Sequence, residues 1–329
     1  MSSRIINNSK VLVTGGAGFI GSNLIESLLT QDNKVVCLDN LSTGKKENID
    51  PFLSYNNFEF IKGDIRDIAT CKKAVKGVDY VLQQAALGSV PRSIEDPKTT
   101  NDVNIGGFVN MLIASKDEGV KRFVYAASSS TYGDHPALPK HEDIIGNPLS
   151  PYAITKYVDE LYAKNFSDLY GIETIGLRYF NVFGRRQDPN GAYSAVIPKF
   201  VKGLINKEQL TINGDGLTSR DFTYIDNVIQ ANQLAALATN KKALNTVYNV
   251  AYGEATSLNE LFTTLKDYLS DFDSEIQNIK PIYGPERPGD VKHSLASIEK
   301  ARKLLDYNPK YSFKQGINNA VKWYWDNLK

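Results

Sequence analysis

The sequence is poor in the residues that commit a chain to disulfide, metal or membrane chemistry. It has two cysteines, Cys37 and Cys71, far apart, and three histidines, His135, His141 and His293, no pair of which has ligand spacing. No disulfide framework and no metal site are expected, and the cysteine usage points to a reducing, cytoplasmic setting. No apolar run approaches the ~20 residues that cross a bilayer, and the polar start MSSRIINNSK lacks the apolar core of a secretory leader. Charge of one sign is missing too: 38 Lys+Arg against 37 Asp+Glu leave +1, with no basic run to attract nucleic acid or membrane. Without a basic groove the 18 tyrosines do not make a nucleic-acid stacking platform. There is no GK[ST] after the first glycine run and no GxSxG, which argues against a P-loop and an α/β-hydrolase nucleophile.

What the chain does have is alternation. Short apolar runs rich in β-branched residues, KVLVTG (10–15), KVVCLD (34–39), FEFIKGD (58–64), DYVLQQA (79–85), RFVYAAS (122–128) and ETIGLRYF (173–180), are separated by segments of helical spacing. Continuously apolar strands with helices between them predict an α/β fold whose parallel sheet is covered on both faces. Beyond residue 180 Pro and Gly gather in GRRQDPNGAY, INGDG and YGPERPGD, and helical segments such as 258–269 and 313–325 are joined by longer loops, which marks a second, smaller and less regular domain.

The strongest ligand signal is VTGGAGFIGSNLIESL. Gly15, Gly18 and Gly21 fall between a predicted strand and a predicted helix. The first permits the tight turn, the second lets backbone approach a pyrophosphate, and the third lets helix pack on strand. Asp39 ends the next strand, where a carboxylate can bond an adenosine ribose and repel a 2′-phosphate, favouring NAD over NADP. A second signal is Tyr152 and Lys156 in SPYAITKYVDELY, four apart on one helix face. A free Tyr, with a pKa near ~10, is a poor base at neutral pH, but a neighbouring ammonium favours the phenolate. Such a Tyr can take a proton from a hydroxyl while hydride leaves the same carbon.

With TGGAGFIG, the YxxxK pair, the SSSTYG turn and LRYFNVFGRRQDPNG, the chain resembles the extended short-chain dehydrogenase/reductase family, in particular its nucleotide-sugar 4-epimerases, over essentially its whole length. The resemblance implies a doubly wound Rossmann domain over 1–181 with a return segment 226–252, and a mixed α/β substrate domain from 182–225 and 253–329. It implies tightly held NAD, a UDP-sugar substrate, a homodimer paired through helices around 107–118 and 152–170, and Ser128, Tyr152 and Lys156 as the catalytic triad. Phe19, Ile20, Asn40, Ser42, Thr43, Gly44, Gln83, Ala85, Ala86, Asn104, Tyr179 and Val182 would lie along the cofactor, with Asp64 and Ile65 near its adenine.

The resemblance also nominates a substrate set. Arg220 and Arg287 match positions that clamp a diphosphate, a task suited to the forked guanidinium. Asp290 matches a ribose contact and Asn181 a phosphate or sugar contact, while Ala195, Val196, Lys199 and Asn213 fall in uridine-lining segments. Gly88, Ser89, Ser129 and Ser130 would line the hexose, with Arg92 close by. Related sugar dehydratases carry an Asp-Glu pair where this chain has Ser129 and Ser130, and hydroxyls cannot do that acid–base work at neutral pH. Related decarboxylases usually place a Glu in this turn, also absent. Ser294 stands where a bulky Tyr restricts the pocket to unsubstituted hexoses, so room remains for an N-acetyl group. The expected reaction is C4 epimerisation of UDP-GlcNAc and UDP-GalNAc. A C6-carboxylated uronate substrate, a 4,6-dehydratase and a non-catalytic NAD-binding homologue are the alternatives.

Overall fold

The apolar runs of the first half lie side by side in one sheet. In the computed structural model, which describes residues 4–189, 195–286 and 292–328, β1 (Lys10–Thr14), β2 (Lys34–Asp39), β3 (Phe58–Lys62), β4 (Tyr80–Gln83), β5 (Arg122–Ser128) and β6 (Thr174–Tyr179) pair in the order 3-2-1-4-5-6, all parallel. Helices α1 (Phe19–Leu29), α2 (Ile68–Ala74), α3 (Val90–Glu95), α4 (Pro97–Asn101), α5 (Phe108–Glu118) and α6 (Pro151–Tyr170) connect them, with a π-helical turn at Asp102–Gly107.

Period-two alternation splits each strand between two cores. Val11 and Val13 join the cluster that includes Leu24, Ile25 and Leu28 of α1, whereas Leu12 faces the cluster holding Met111 and Leu112 of α5 and Phe166 of α6. Both faces are therefore covered, which is why the strands read as unbroken apolar runs.

The later chain is made of shorter pieces: β7 (Val182–Phe183), α7 (Val196–Ile205), β8 (Thr211–Asn213), β9 (Ser219–Asp221) and β10 (Thr223–Tyr224), then α8 (Ile225–Ala236). It continues with β11 (Thr246–Val250), β12 (Ala255–Ser257), α9 (Leu258–Ser270), β13 (Ile282–Gly284), α10 (Glu299–Leu305) and α11 (Phe313–Asn327). Three two-stranded ladders, β7 with β10, β9 with β12 and β8 with β13, pack with α7, α9 and α11. Phe183, Phe222 and Phe313 form an aromatic knot at the junction. One piece returns: β11 pairs in parallel with β6, making the sheet seven-stranded. The architecture is thus a doubly wound parallel sheet with a smaller mixed α/β part. Among the described residues no helix is long and apolar enough to cross a membrane.

Candidate active site

The strand order reverses between β1 and β4, so the loops after these two strands diverge and leave a crevice at their carboxyl ends. A cavity of about 440 Å³ occupies it. Two glycines make the approach possible. Gly15 has φ +64, and a Cβ there would stand 2.8 Å from the Ala85 nitrogen; a Cβ on Gly21 would stand 2.2 Å from the Gly15 oxygen. The backbone of β1, the start of α1 and the segment after β4 therefore meet without side chains between them.

One end of the cavity is lined by Gly15, Gly18, Phe19, Ile20, Gly21, Asp39, Asn40, Ser42, Thr43, Gly44, Asp64 and Ile65, and its wall by Ala85 and Ala86. Asp39 organises this end. Its Oδ2 accepts the Ala17 N–H at 2.9 Å and its Oδ1 the Leu41 N–H at 2.7 Å. Burial pushes the carboxyl up while these two backbone bonds pull it down. Asp64 is held at about 2, chiefly by its hydrogen bond from Arg66, with Asn40 donating to the same carboxylate. Lys45, Asn48, Arg186 and Asp188 also line this end and were not expected. Lys45 and Asp188 pair at 3.2 Å, and Arg186 pairs with Glu26 of α1 at 2.7 Å, so the GRRQDP segment straps the glycine turn. The basic pair in that segment was the available signal.

The other end gathers Gly88, Ser128, Tyr152, Lys156, Tyr179, Asn181 and Val182. β5 ends on Ser128, and a 3-10 turn over Ser129–Tyr132 follows. Gly133 closes the turn at φ +53, where a Cβ would collide with the Asn147 oxygen at 1.8 Å. The Ser128 Oγ accepts from the Ser130 N–H at 3.2 Å and from the Ser130 hydroxyl at 2.9 Å, which leaves its own proton to point elsewhere. Tyr152 sits in the first turn of α6, which is capped by Ser150 accepting the Ala153 N–H at 3.1 Å. Lys156, one turn later, is buried and donates to the Ala126 oxygen at 3.0 Å and to Asp159 at 3.3 Å.

A buried ion pair braces this end. Arg178 of β6 donates to both oxygens of Glu160 at 2.8 and 2.7 Å and lies 4.9 Å from the Tyr132 ring centroid, joining β6, α6 and the serine turn. Bidentate geometry offsets the desolvation of both charges, and losing one partner of such a pair costs ~3–5 kcal/mol.

Several expected residues lie elsewhere. Gln83 does not line the cavity: its side chain accepts from the hydroxyl of Thr14, its partner on β1, at 2.7 Å, and the adjacent Gln84 lines the wall instead, accepting from the Tyr179 hydroxyl at 3.1 Å. Asn104 is buried, donating to Thr155 and accepting the Leu87 N–H, so it supports the wall from behind. Ser89 caps α3. Ser129, Ser130, Ala195, Val196, Lys199, Asn213, Arg220 and Ser294 are not among the residues lining this cavity. Ser294 is half-buried and its N–H bonds the Ser219 oxygen, beside Arg220 on β9, so these two stand together in the C-terminal part. Arg287 and Asp290 lie outside the described residues. Among the described residues no three His, Cys, Asp or Glu converge to hold a metal.

A glycine turn lines one end of the cavity, and Ser128, Tyr152 and Lys156 line the other. The profile of the "NAD dependent epimerase/dehydratase family" matches residues 11–251. The chain belongs to this family. Its relatives include the UDP-glucose 4-epimerase of Mycolicibacterium smegmatis, 35% identical over 96% of this chain and 98% of that protein. Among solved structures, the UDP-N-acetylglucosamine 4-epimerase from Methanobrevibacter ruminantium M1, in complex with UDP-N-acetylmuramic acid, is 41% identical with a TM-score of 0.89, covering 98% of this chain and 99% of that one. The UDP-glucose 4-epimerase of Thermus thermophilus, in complex with NAD, is 33% identical with a TM-score of 0.83, covering 96% and 98%.

The family's cofactor is NAD, and the cavity fits it. The close backbone approach at Gly15 and Gly21 forms a cradle that any Cβ would fill, at the N-terminus of α1, where N–H groups suit a pyrophosphate. Asp39 and Tyr152 both border the same continuous cavity.

Proposed function

We propose that this protein interconverts the C4 epimers of a UDP-N-acetylhexosamine, UDP-GlcNAc and UDP-GalNAc. The observation that carries the reading is that Ser128, Tyr152 and Lys156 line the same cavity as the glycine turn, while the two residues after Ser128, Ser129 and Ser130, carry no carboxylate.

NAD, when bound, supplies the acceptor that takes hydrogen with its electron pair from C4 and returns it. The chain's own residues handle the proton and the sugar. Tyr152 removes the proton of the 4-hydroxyl, with the Ser128 hydroxyl holding that oxygen, and the Lys156 ammonium favours the phenolate. Reprotonation by Tyr152 after the flat 4-keto sugar has turned about its diphosphate link gives the epimer. Arg220, Arg287, Asp290 and Asn181 would anchor the nucleotide while the hexose turns.

Replacing Tyr152 by Phe is expected to abolish turnover of UDP-GlcNAc while NAD stays bound, as read by separating the 4-epimers and by releasing nucleotide on denaturation. Substantial residual epimerisation would remove Tyr152 as the base. Parallel incubations with UDP-Glc and with the C6 uronate of UDP-GlcNAc test the substrate: faster turnover of the uronate would move the reading to a uronate epimerase. A dimer is part of the same reading. Ile154, Leu161 and Leu169 are 50, 52 and 64% exposed at heptad-like spacing on α6, an apolar stripe suited to the same helix of a second copy. Leu161→Arg is expected to shift sedimentation from dimer to monomer.

A further inference from the structure

Two turns along α6 from Tyr152 stands Asp159. Tyr152, Lys156 and Asp159 occupy positions i, i+4 and i+7, one stripe of the helix. The Asp159 side chain is wholly buried; its Oδ2 accepts from the Lys156 ammonium at 3.3 Å, and its Oδ1 has no hydrogen-bond partner among the described residues. This is a poor structural ion pair. One residue further on, Glu160 shows what a buried carboxylate kept for stability looks like, with both oxygens bonded to Arg178 below 3 Å. A carboxylate left half-satisfied in the interior is costly, and this one touches the ammonium that lines the end of the cavity where Tyr152 sits.

We propose that Asp159 is a positioning residue for Lys156: its carboxylate holds the ammonium at the cavity wall and offsets its charge, and so sets how strongly Lys156 favours the Tyr152 phenolate. The proposal rests on the reading of Tyr152 as the base.

The surroundings support a carboxyl that changes charge near neutrality. Burial pushes Asp159 up to about 7; the Lys156 charge and hydrogen bond pull it down without overcoming burial, and Glu160 adds to the rise. From β5, the buried phenol of Tyr125 feels Asp159 in turn, while Arg178 of β6 is committed to Glu160. On the helices packed against α6 from outside, Lys98 with Asp102 and Lys116 with Asp117 form surface pairs, Glu95 is exposed and Arg92 is half-buried. Lys156 is the cation that bonds it.

Asp159→Asn keeps an acceptor for the ammonium and removes the charge. In the NAD-loaded protein, the pH midpoint of phenolate formation, isolated as the absorbance lost on adding Tyr152→Phe, is expected to fall by roughly one pH unit. A role confined to stability would lower the melting temperature and leave that midpoint in place, which would overturn the proposal. A second measurement does not depend on this variant folding. Carbon-13 NMR titration of the Asp159 carboxyl in the wild-type protein is expected to give a midpoint far above ordinary carboxylates, rising further in Lys156→Met. A midpoint indifferent to Lys156 overturns the proposal. Neither readout needs a substrate, so loss of the Tyr152 base assignment in the epimerisation assay remains distinguishable from loss of the Asp159–Lys156 coupling.

Discussion

Ser128 has one proton to give, and its position after β5 decides where that proton goes. With two donors from Ser130 already on its oxygen, the hydroxyl proton is free to meet an oxygen on the sugar or on Tyr152. The resemblance carried by the SSSTYG turn nominated Ser128 for this role, and Ser128 ends β5 on the wall of the cavity. The place of Gln83 was not legible: in DYVLQQA the two glutamines are adjacent, and the first bonds Thr14 of the neighbouring strand while the second lines the cavity. Asp159 was overlooked although its signal was present, an acid on the stripe already holding Tyr152 and Lys156. At this scale Ser294 tests substrate choice. Ser294→Tyr is expected to depress kcat/KM for UDP-GlcNAc by at least tenfold while changing UDP-Glc little; equal losses would show that this wall does not face the 2-substituent.

At the scale of elements, the site depends on how closely α1 sits on β1. A methyl at Gly21 would fall 2.2 Å from the Gly15 oxygen and 2.7 Å from the Gly16 Cα, and backbone cannot yield as a side-chain end would. Gly21→Ala is expected to cost roughly 1–3 kcal/mol by overpacking and to release NAD during purification, as measured by thermal denaturation and nucleotide content. The six strands of the first half were readable because both faces are covered, which keeps their runs apolar. In the second part the helices at 258–269 and 313–325 were readable from their spacing and stand as α9 and α11, but the strands were not. Its strands are two or three residues long, too short for any period to show, and the ladders join segments far apart in sequence.

At the scale of the molecule, two buried carboxyls tie stability to pH. Asp159 and Asp221 are both pushed up to about 7, burial being the largest cause in each, with three backbone N–H groups pulling against it at Asp221. The folded chain therefore keeps protons that the unfolded chain, with carboxyls near ~4, releases. Their contribution to stability is full below the ordinary carboxylate range and is lost as pH rises through about 7. The melting temperature is expected to decline between roughly pH 5 and 8, and Asp159→Asn is expected to flatten the slope; a steeper slope would contradict this.

The return of the chain to β11 has a consequence for how such a molecule can be taken apart. Because the seventh strand, paired to β6, comes from residues 246–250, the chain leaves the sheet, builds part of the other half, comes back and leaves again. No single cut yields two self-contained pieces: ending the chain after β6 would bare a strand edge ready to pair with any neighbour. The two halves are stitched rather than linked, so that neither can be expected to keep its packing once it is parted from the other.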